Sequence, residues 1–174
     1  ICADAVDTLC GRQRFGCIIL GAPGSGKTTA LRDMIRLFSE RGYRVGVADE
    51  RGEISGDGEF DLGPCSDVIT GLSKAESAML LLRGMNPQII AMDEITQSAD
   101  ADAIRELCCC GVELLATAHA RNADELRQRR VFAELLDTGA FKYALSIRGA
   151  GSARSYEPIG ELLEAVLIGG VVQN

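Results

Sequence analysis

Residues 16–29, Gly-Cys-Ile-Ile-Leu-Gly-Ala-Pro-Gly-Ser-Gly-Lys-Thr-Thr, place an apolar run, a glycine-rich turn and a helical pattern in immediate succession. That order constrains the rest of the chain. A buried strand must deliver the backbone to the turn, and the turn must open a helix. The spacing Gly21-x-x-x-x-Gly26-Lys27-Thr28 fits a loop that cradles phosphate. Gly21, Gly24 and Gly26 are expected to adopt positive φ and bring backbone N–H groups to an anion, while the following helix adds its free N–H groups and positive dipole end. Pro23 and Ser25 complete the loop. Lys27 is expected to reach the β and γ phosphates, Thr28 to place its hydroxyl on Mg²⁺, and Thr29 to donate to the α phosphate. The ligand so implied is a nucleotide.

The 174 residues suit one domain with a real core, and 47% hydrophobic with 25% charged residues is ordinary for a globular chain. A net charge of −7 gives no broad basic field, so nucleic acid is not an expected partner. Seven cysteines are an odd number, three of them consecutive at Cys108, Cys109 and Cys110, and no secretory signal opens the chain, so reduced thiols in a cytosol are expected. Packing is the expected role of those three. A single His and the absence of a C-x-x-C pair argue against a zinc site. The longest apolar run, 162–172, is too short to span a membrane, so any membrane contact is expected to go through partners.

Residues 1–12 read as the end of a helix, with Ala3, Val6, Leu9 and Cys10 on one face, and the start at Ile1 suggests a trimmed fragment. A helix over 28–41 turns Leu31, Met34, Ile35 and Phe38 inward. The second strand, 44–49, leads into Glu50-Arg51-Gly52-Glu53 and a glycine-rich loop to about Thr70, whose length places it near the ligand. A helix over 73–84 has Ser73 as N-cap and Ala75, Met79, Leu80 and Leu82 inward. The third strand, 89–92, ends in Asp93-Glu94; a helix over 100–109 follows, and the fourth strand, 112–117, runs into Ala118-His119. Helical stretches over 122–137, capped by Asn122, precede a strand pair at 142–148 and 153–157 around the turn 149–152. The remainder, 160–174, has a short helical pattern and a Gly-Gly break.

Strands alternating with helices predict a parallel sheet covered on both faces, with ligands at the carboxyl ends of its strands. Four strand ends bear chemistry: Gly21 to Thr28, Asp49-Glu50, Asp93-Glu94 and His119. Asp93 is either a helix N-cap or the acid on the Mg²⁺ side of a phosphate loop, and Glu94 is placed to orient an attacking water. Glu50 is a second candidate base or part of a solvated charged loop, in which Arg51 pairs with Glu53 or meets phosphate. His119 is a satisfied structural residue or a sensor of the γ phosphate. Arg83, Arg148 and Arg154 are candidate charge-stabilising arginines.

The segments 21–36, 49–56 (Asp-Glu-Arg-Gly-Glu-Ile-Ser-Gly), 66–76, 82–95 (ending Ile-Ile-Ala-Met-Asp-Glu-Ile) and 116–120 (Ala-Thr-Ala-His-Ala) together resemble the stage III sporulation protein AA family, a branch of the ATPases of type II and type IV secretion and pilus systems. The resemblance covers about 15–148. It implies an ATPase using ATP and Mg²⁺, working as a homo-oligomeric ring in the longer protein. It places that ring at the cytoplasmic face of a membrane channel between mother cell and forespore, with membrane-bound channel proteins as partners. Carried over by position, Lys27 and Thr28 hold phosphate and Mg²⁺, Glu50 and Glu94 are catalytic acids, Asp93 supports the metal and His119 is the sensor. The chain departs from the family pattern at Cys65-Ser66, Ser73 and Thr96, where Arg-Thr, proline and glycine are expected.

The expected fold is therefore α/β: a P-loop NTPase of the RecA-like (ASCE) kind, with a parallel sheet in order 5-1-4-3-2, helices on both faces and a C-terminal β-hairpin. Residues 1–14 end a preceding helix or domain, 15–160 form the ATPase domain and 161–174 a tail. The expected function is an ATP-hydrolysing motor domain of a sporulation channel complex. The rivals are a stand-alone nucleoside triphosphatase or nucleotide kinase, and a DNA-handling ATPase.

Overall fold

Short runs of β-branched and aliphatic residues, bounded by glycine or acids, become the strands of one sheet. The computed structural model describes residues 2–149 together with Ser155–Tyr156 and Gly160–Glu161. Six strands run parallel to their neighbours: β1 (Cys17–Gly21), β2 (Val45–Asp49), β3 (Ser66–Thr70), β4 (Ile89–Met92), β5 (Glu113–Ala118) and β6 (Tyr143–Arg148). Two short strands, β7 (Ser155–Tyr156) and β8 (Gly160–Glu161), pair antiparallel with β6. The sheet order is β3-β2-β4-β5-β1-β6-β7. For the first five strands expected from sequence, β6-β1-β5-β4-β2 is the predicted order 5-1-4-3-2.

The long loop expected up to Thr70 is shorter, because its last five residues form β3, an edge strand on β2. Most of β3 is solvent-facing, so its side chains carry no apolar alternation to announce it. The remainder of the loop is folded on itself, with a single 3₁₀ turn at Gly56–Gly58. At the other edge, β7 falls within the second hairpin strand expected at 153–157, whereas β8 replaces the first residues of the expected helical pattern. Residues 150–154, which hold most of the expected turn 149–152 and Arg154, together with 157–159 and the tail from 162, lie outside the described residues.

The helices are α1 (Cys2–Cys10), α2 (Lys27–Glu40), α3 (Lys74–Met85), α4 (Ser98–Cys109), α5 (Ala123–Arg127) and α6 (Arg130–Leu136). Alternate residues of each strand feed opposite layers. Cys17, Ile19, Val47, Ala91 and Leu115 pack with Leu31, Met34, Ile35 and Phe38 of α2 and with Val6 and Leu9 of α1. Ile18, Leu20, Ala48, Ile90, Met92 and Leu114 pack with Ala78 and Leu81 of α3, Ile104 and Leu107 of α4, and Phe132 and Leu135 of α6. The inward face of α2 is as expected. That of α3 is rotated: it buries Lys74, Ser77, Ala78 and Leu81, while Leu80 is exposed. On α1, Ala5 is inward and Ala3 exposed.

Caps set the helix starts. Ser73 accepts the Glu76 backbone N–H and Glu76 returns a bond to Ser73 N, a full capping box for α3. Asn122 accepts the Glu125 N–H at 2.9 Å, and an extended Arg129 divides the expected 122–137 stretch into α5 and α6. All seven cysteines are free thiols. Burial pushes the Cys17 thiol up to about 12 and Cys2 up to about 11, whereas Cys109 and Cys110 are exposed, so packing explains only Cys108 of the three. Among the described residues, no helix is long and apolar enough to cross a membrane.

Candidate functional site

β1 delivers the chain into the turn 22–26, which opens α2 with no side chain capping its first N–H groups. Those groups therefore remain available to an anion. Gly24 (φ 71°) and Gly26 (φ 97°) stand in the left-handed region, as expected. Gly21 does not. It is a glycine for a different reason: a Cβ there would lie 2.4 Å from Ser25 Oγ and 3.0 Å from the Ile147 carbonyl oxygen. Ser25 Oγ is buried without a hydrogen-bond partner. A polar atom left open in this turn, together with free helix N–H groups, fits a phosphate ligand.

Lys27 is buried at the start of α2 and its Nζ donates to the Ala22 carbonyl at 3.0 Å and to His119 Nδ1 at 2.9 Å. An ammonium only donates, so Nδ1 is the accepting nitrogen and Nε2 carries the ring proton. That Nε2 lies 3.1 Å from Glu94 Oε2. His119 thus joins the lysine of the turn to the acid after β4. Burial pulls the Lys27 ammonium below the usual lysine value, and the facing carboxylates of Asp93 and Glu94 act against that shift.

Asp93 directly follows β4 and meets side chains from α2 and β5. Thr28 Oγ1 donates to its Oδ2 at 3.1 Å, Thr117 Oγ1 donates to Oδ1, and the Glu94 N–H reaches Oδ1 at 2.9 Å and Thr117 Oγ1 at 3.0 Å. A hydroxyl and a carboxylate side by side at the phosphate turn are a donor set suited to Mg²⁺, which keeps waters and takes phosphate oxygens. Among the described residues no group of three or more His, Cys, Asp or Glu side chains is placed to hold a metal. A cation here would therefore depend on the phosphates.

A cavity of about 390 Å³ gathers these groups: Pro23, Gly24, Gly26, Lys27, Thr28 and Thr29 from the turn and α2, with Asp93, Glu94, Thr117 and His119 opposite. Glu53 lines it too. Glu50 stands elsewhere, bounding a smaller neighbouring cavity and bonded to Lys74 Nζ at 3.0 Å. Sequence reasoning treated Glu53 as a partner for Arg51, and the two do pair, at 3.9 Å and with both side chains exposed. Arg32 fixes Glu53 in place: from α2 it donates to the carbonyls of Ile54 (2.9 Å) and Glu53 (2.7 Å), and its guanidinium stacks 3.8 Å from the Phe60 ring centre. Thr117 was also missed. A Thr inside the apolar run of β5 was the available signal, because a buried hydroxyl needs a partner. Arg83 is exposed on α3, and Arg148 lines a separate cavity with Arg121 beyond Gly21.

The fold is that of known secretion and pilus ATPases. The VirB11 ATPase of the Brucella suis type IV secretion system, solved with sulphate, superposes with a TM-score of 0.67 at 16% identity, over 94% of this chain and 52% of that one. The pilus retraction motor PilT, solved with bound ADP, gives 0.65 at 20% identity, over 91% of this chain and 50% of the other. Stage III sporulation protein AA of Bacillus subtilis is 33% identical over 159 residues, which is 84% of this chain but 52% of that protein, so the chain spans about half its length. Residues 1–159 match the family Sporulation stage III, protein AA, and to that family the chain belongs.

Proposed function

We propose that this chain is an ATP-hydrolysing domain whose turnover drives assembly or transport by a membrane-bound channel complex in spore formation. The observation that supports it most is the Lys27–His119–Glu94 chain beside the Thr28–Asp93 pair, all bordering one cavity at the end of β1. Lys27 and the free N–H groups of α2 bind the β and γ phosphates. Thr28 and Asp93 hold Mg²⁺, which when bound neutralises charge on the phosphate oxygens. Phosphate competes with the Ala22 carbonyl and His119 Nδ1 for the Lys27 ammonium, so occupancy is read at His119. Glu94 orients a water for in-line attack and accepts its proton at the carboxylate, while the Nε2–H of His119 holds that carboxylate. Glu53 adds a second acid to the wall of the cavity.

Residues 15–160 act as the ATPase domain. Assembly into a homo-oligomeric ring, a cytoplasmic position peripheral to the membrane, and channel proteins as partners are part of this reading, and membership of the sporulation family is what supports them.

Phosphate release and nucleotide titration on the intact protein test it. Wild type hydrolyses Mg²⁺-ATP, Lys27→Ala does not bind nucleotide, and Glu94→Gln binds but does not hydrolyse. Transfer of the γ phosphate to a second small molecule, without release to water, would replace the reading with a kinase. Turnover that depends on added DNA would replace it with a nucleic-acid motor.

A further inference from the structure

Lys74 is the first residue of α3, next to the positive end of that helix, where a cation is disfavoured. It is nevertheless buried, its side chain only 11% exposed. Lysine stems that merely cover apolar surface carry their ammonium out to water. Here the head turns inward between two carboxylates from other elements: Glu50 Oε2 at 3.0 Å, in the loop after β2, and Asp100 Oδ2 at 3.8 Å, in the first turn of α4. Asp100 is itself buried and accepts the N–H groups of Thr96 (3.1 Å) and Gln97 (3.0 Å). The ammonium therefore ties the loop after β2 to the segment that begins at Asp93 and Glu94.

The other anchors of that loop act in different directions. Asp49 binds the backbone of Ile54 and Ser55, which closes the loop on itself, and Arg32 ties it to α2. Lys74 spans the remaining side. It borders a cavity of about 70 Å³ with Glu50, Asp93 and Glu94, directly beside the phosphate cavity that Glu53, Asp93 and Glu94 line.

We infer that Lys74 is a positioning residue of the hydrolytic site. Its ammonium, bridging Glu50 and Asp100, sets the spacing between the acidic loop carrying Glu53 and the segment carrying Asp93 and Glu94. The inference rests on the ATPase reading above. Lys74 touches neither phosphate turn nor metal pair, so its loss should act on turnover more than on nucleotide binding.

The test uses the intact protein, with Mg²⁺-ATP hydrolysis, nucleotide affinity and thermal unfolding measured together. Lys74→Met is expected to lower kcat about tenfold or more while the Kd for nucleotide stays within about twofold, since displacement of a positioned group by about an ångström is enough for such a loss. Lys74→Arg, which keeps the charge, should recover part of the rate. In a Glu50→Gln background, Lys74→Met should add little further loss, because the two residues act through one contact. A Lys74→Met protein with wild-type kcat overturns the inference. So do Lys74 and Glu50 losses that multiply in the double variant, which would mark Lys74 as structural support alone. If Lys74→Met does not fold, Glu50→Gln carries the test: a drop in kcat of about tenfold at unchanged Kd supports the bridge, whereas wild-type kcat, or a loss as large as that of Glu94→Gln, overturns it. Wild type that neither binds nor hydrolyses ATP sinks the functional reading itself, together with this role, whereas normal wild-type turnover with indifferent variants sinks the role alone.

Discussion

Two of the chain's three Asp-Glu pairs stand at the end of a fully buried strand, and the fold uses those two in opposite ways. Asp49, the last residue of β2, points into the protein and is consumed by the loop that follows: the N–H groups of Ile54 and Ser55 and the Ser55 hydroxyl all donate to it, and it is 2% exposed. Glu50 is held by Lys74. After β4, Asp93 instead faces the side chains of Thr28 and Thr117, and Glu94 faces His119. The difference comes from the neighbouring strands. β4 has β5 beside it and the phosphate turn of β1 within reach, whereas β2 has on its outer side only the edge strand β3. A carboxylate at a strand end becomes a loop staple or faces the cavity beside Lys27 according to what the sheet order sets opposite it.

The largest effect that separates the two pairs is on turnover. Glu94→Gln removes the acid nearest His119 and should lower kcat by about 10²–10⁴-fold, the range for loss of a positioned acid or base. Glu50→Gln removes a support and should cost about tenfold. Phosphate-release rates at saturating Mg²⁺-ATP compare them. If Glu50→Gln proves the more damaging, the base lies after β2 and the contrast is reversed.

Stability should sort the aspartates the other way. Asp49→Ala strands two buried backbone N–H groups and a hydroxyl that now share one carboxylate, so it should destabilise the fold by about 3 kcal/mol. Asp93→Ala opens room beside the cavity for water to replace the carboxylate at the Thr28 and Thr117 hydroxyls and the Glu94 N–H, and should cost about 1 kcal/mol. Denaturant unfolding without nucleotide measures both. Equal losses would mean that Asp93 is as much a staple as Asp49.

This contrast also marks what was legible in the sequence. The phosphate turn and the five inner strands were readable because buried parallel strands are largely apolar runs and the turn spacing is tightly constrained, whereas the strand order came with the family resemblance. β3 was not readable, since Ser66-Asp67-Val68-Ile69-Thr70 is an edge strand with little burial. Nor was the phase of α3, because a run of Met79, Leu80, Leu81 and Leu82 offers several apolar faces and tertiary packing chose Leu81. At the site, the two Asp-Glu pairs were indistinguishable as dipeptides. That Glu53 rather than Glu50 would border the phosphate cavity depends on how Asp49 and Arg32 fold the loop, a three-dimensional fact with no local signature.

The smallest expected effect sharpens the comparison most, because it concerns the residue that gives the β4 pair its partner. In the structure His119 holds Lys27 through Nδ1 and Glu94 through Nε2. Removing the imidazole frees Lys27 from a competitor of phosphate, which favours any nucleotide, ADP included. It also removes the group linking phosphate occupancy to Glu94, which disfavours only a ligand with a γ phosphate. His119→Ala should therefore leave ADP affinity equal or slightly higher and lower the preference for a non-hydrolysable ATP analogue over ADP by about fivefold, roughly the worth of one hydrogen bond. Parallel titrations with the analogue and with ADP measure the ratio. An unchanged ratio would make His119 a passive filler between Lys27 and Glu94, and the β4 pair would then differ from the β2 pair only in what its aspartate touches.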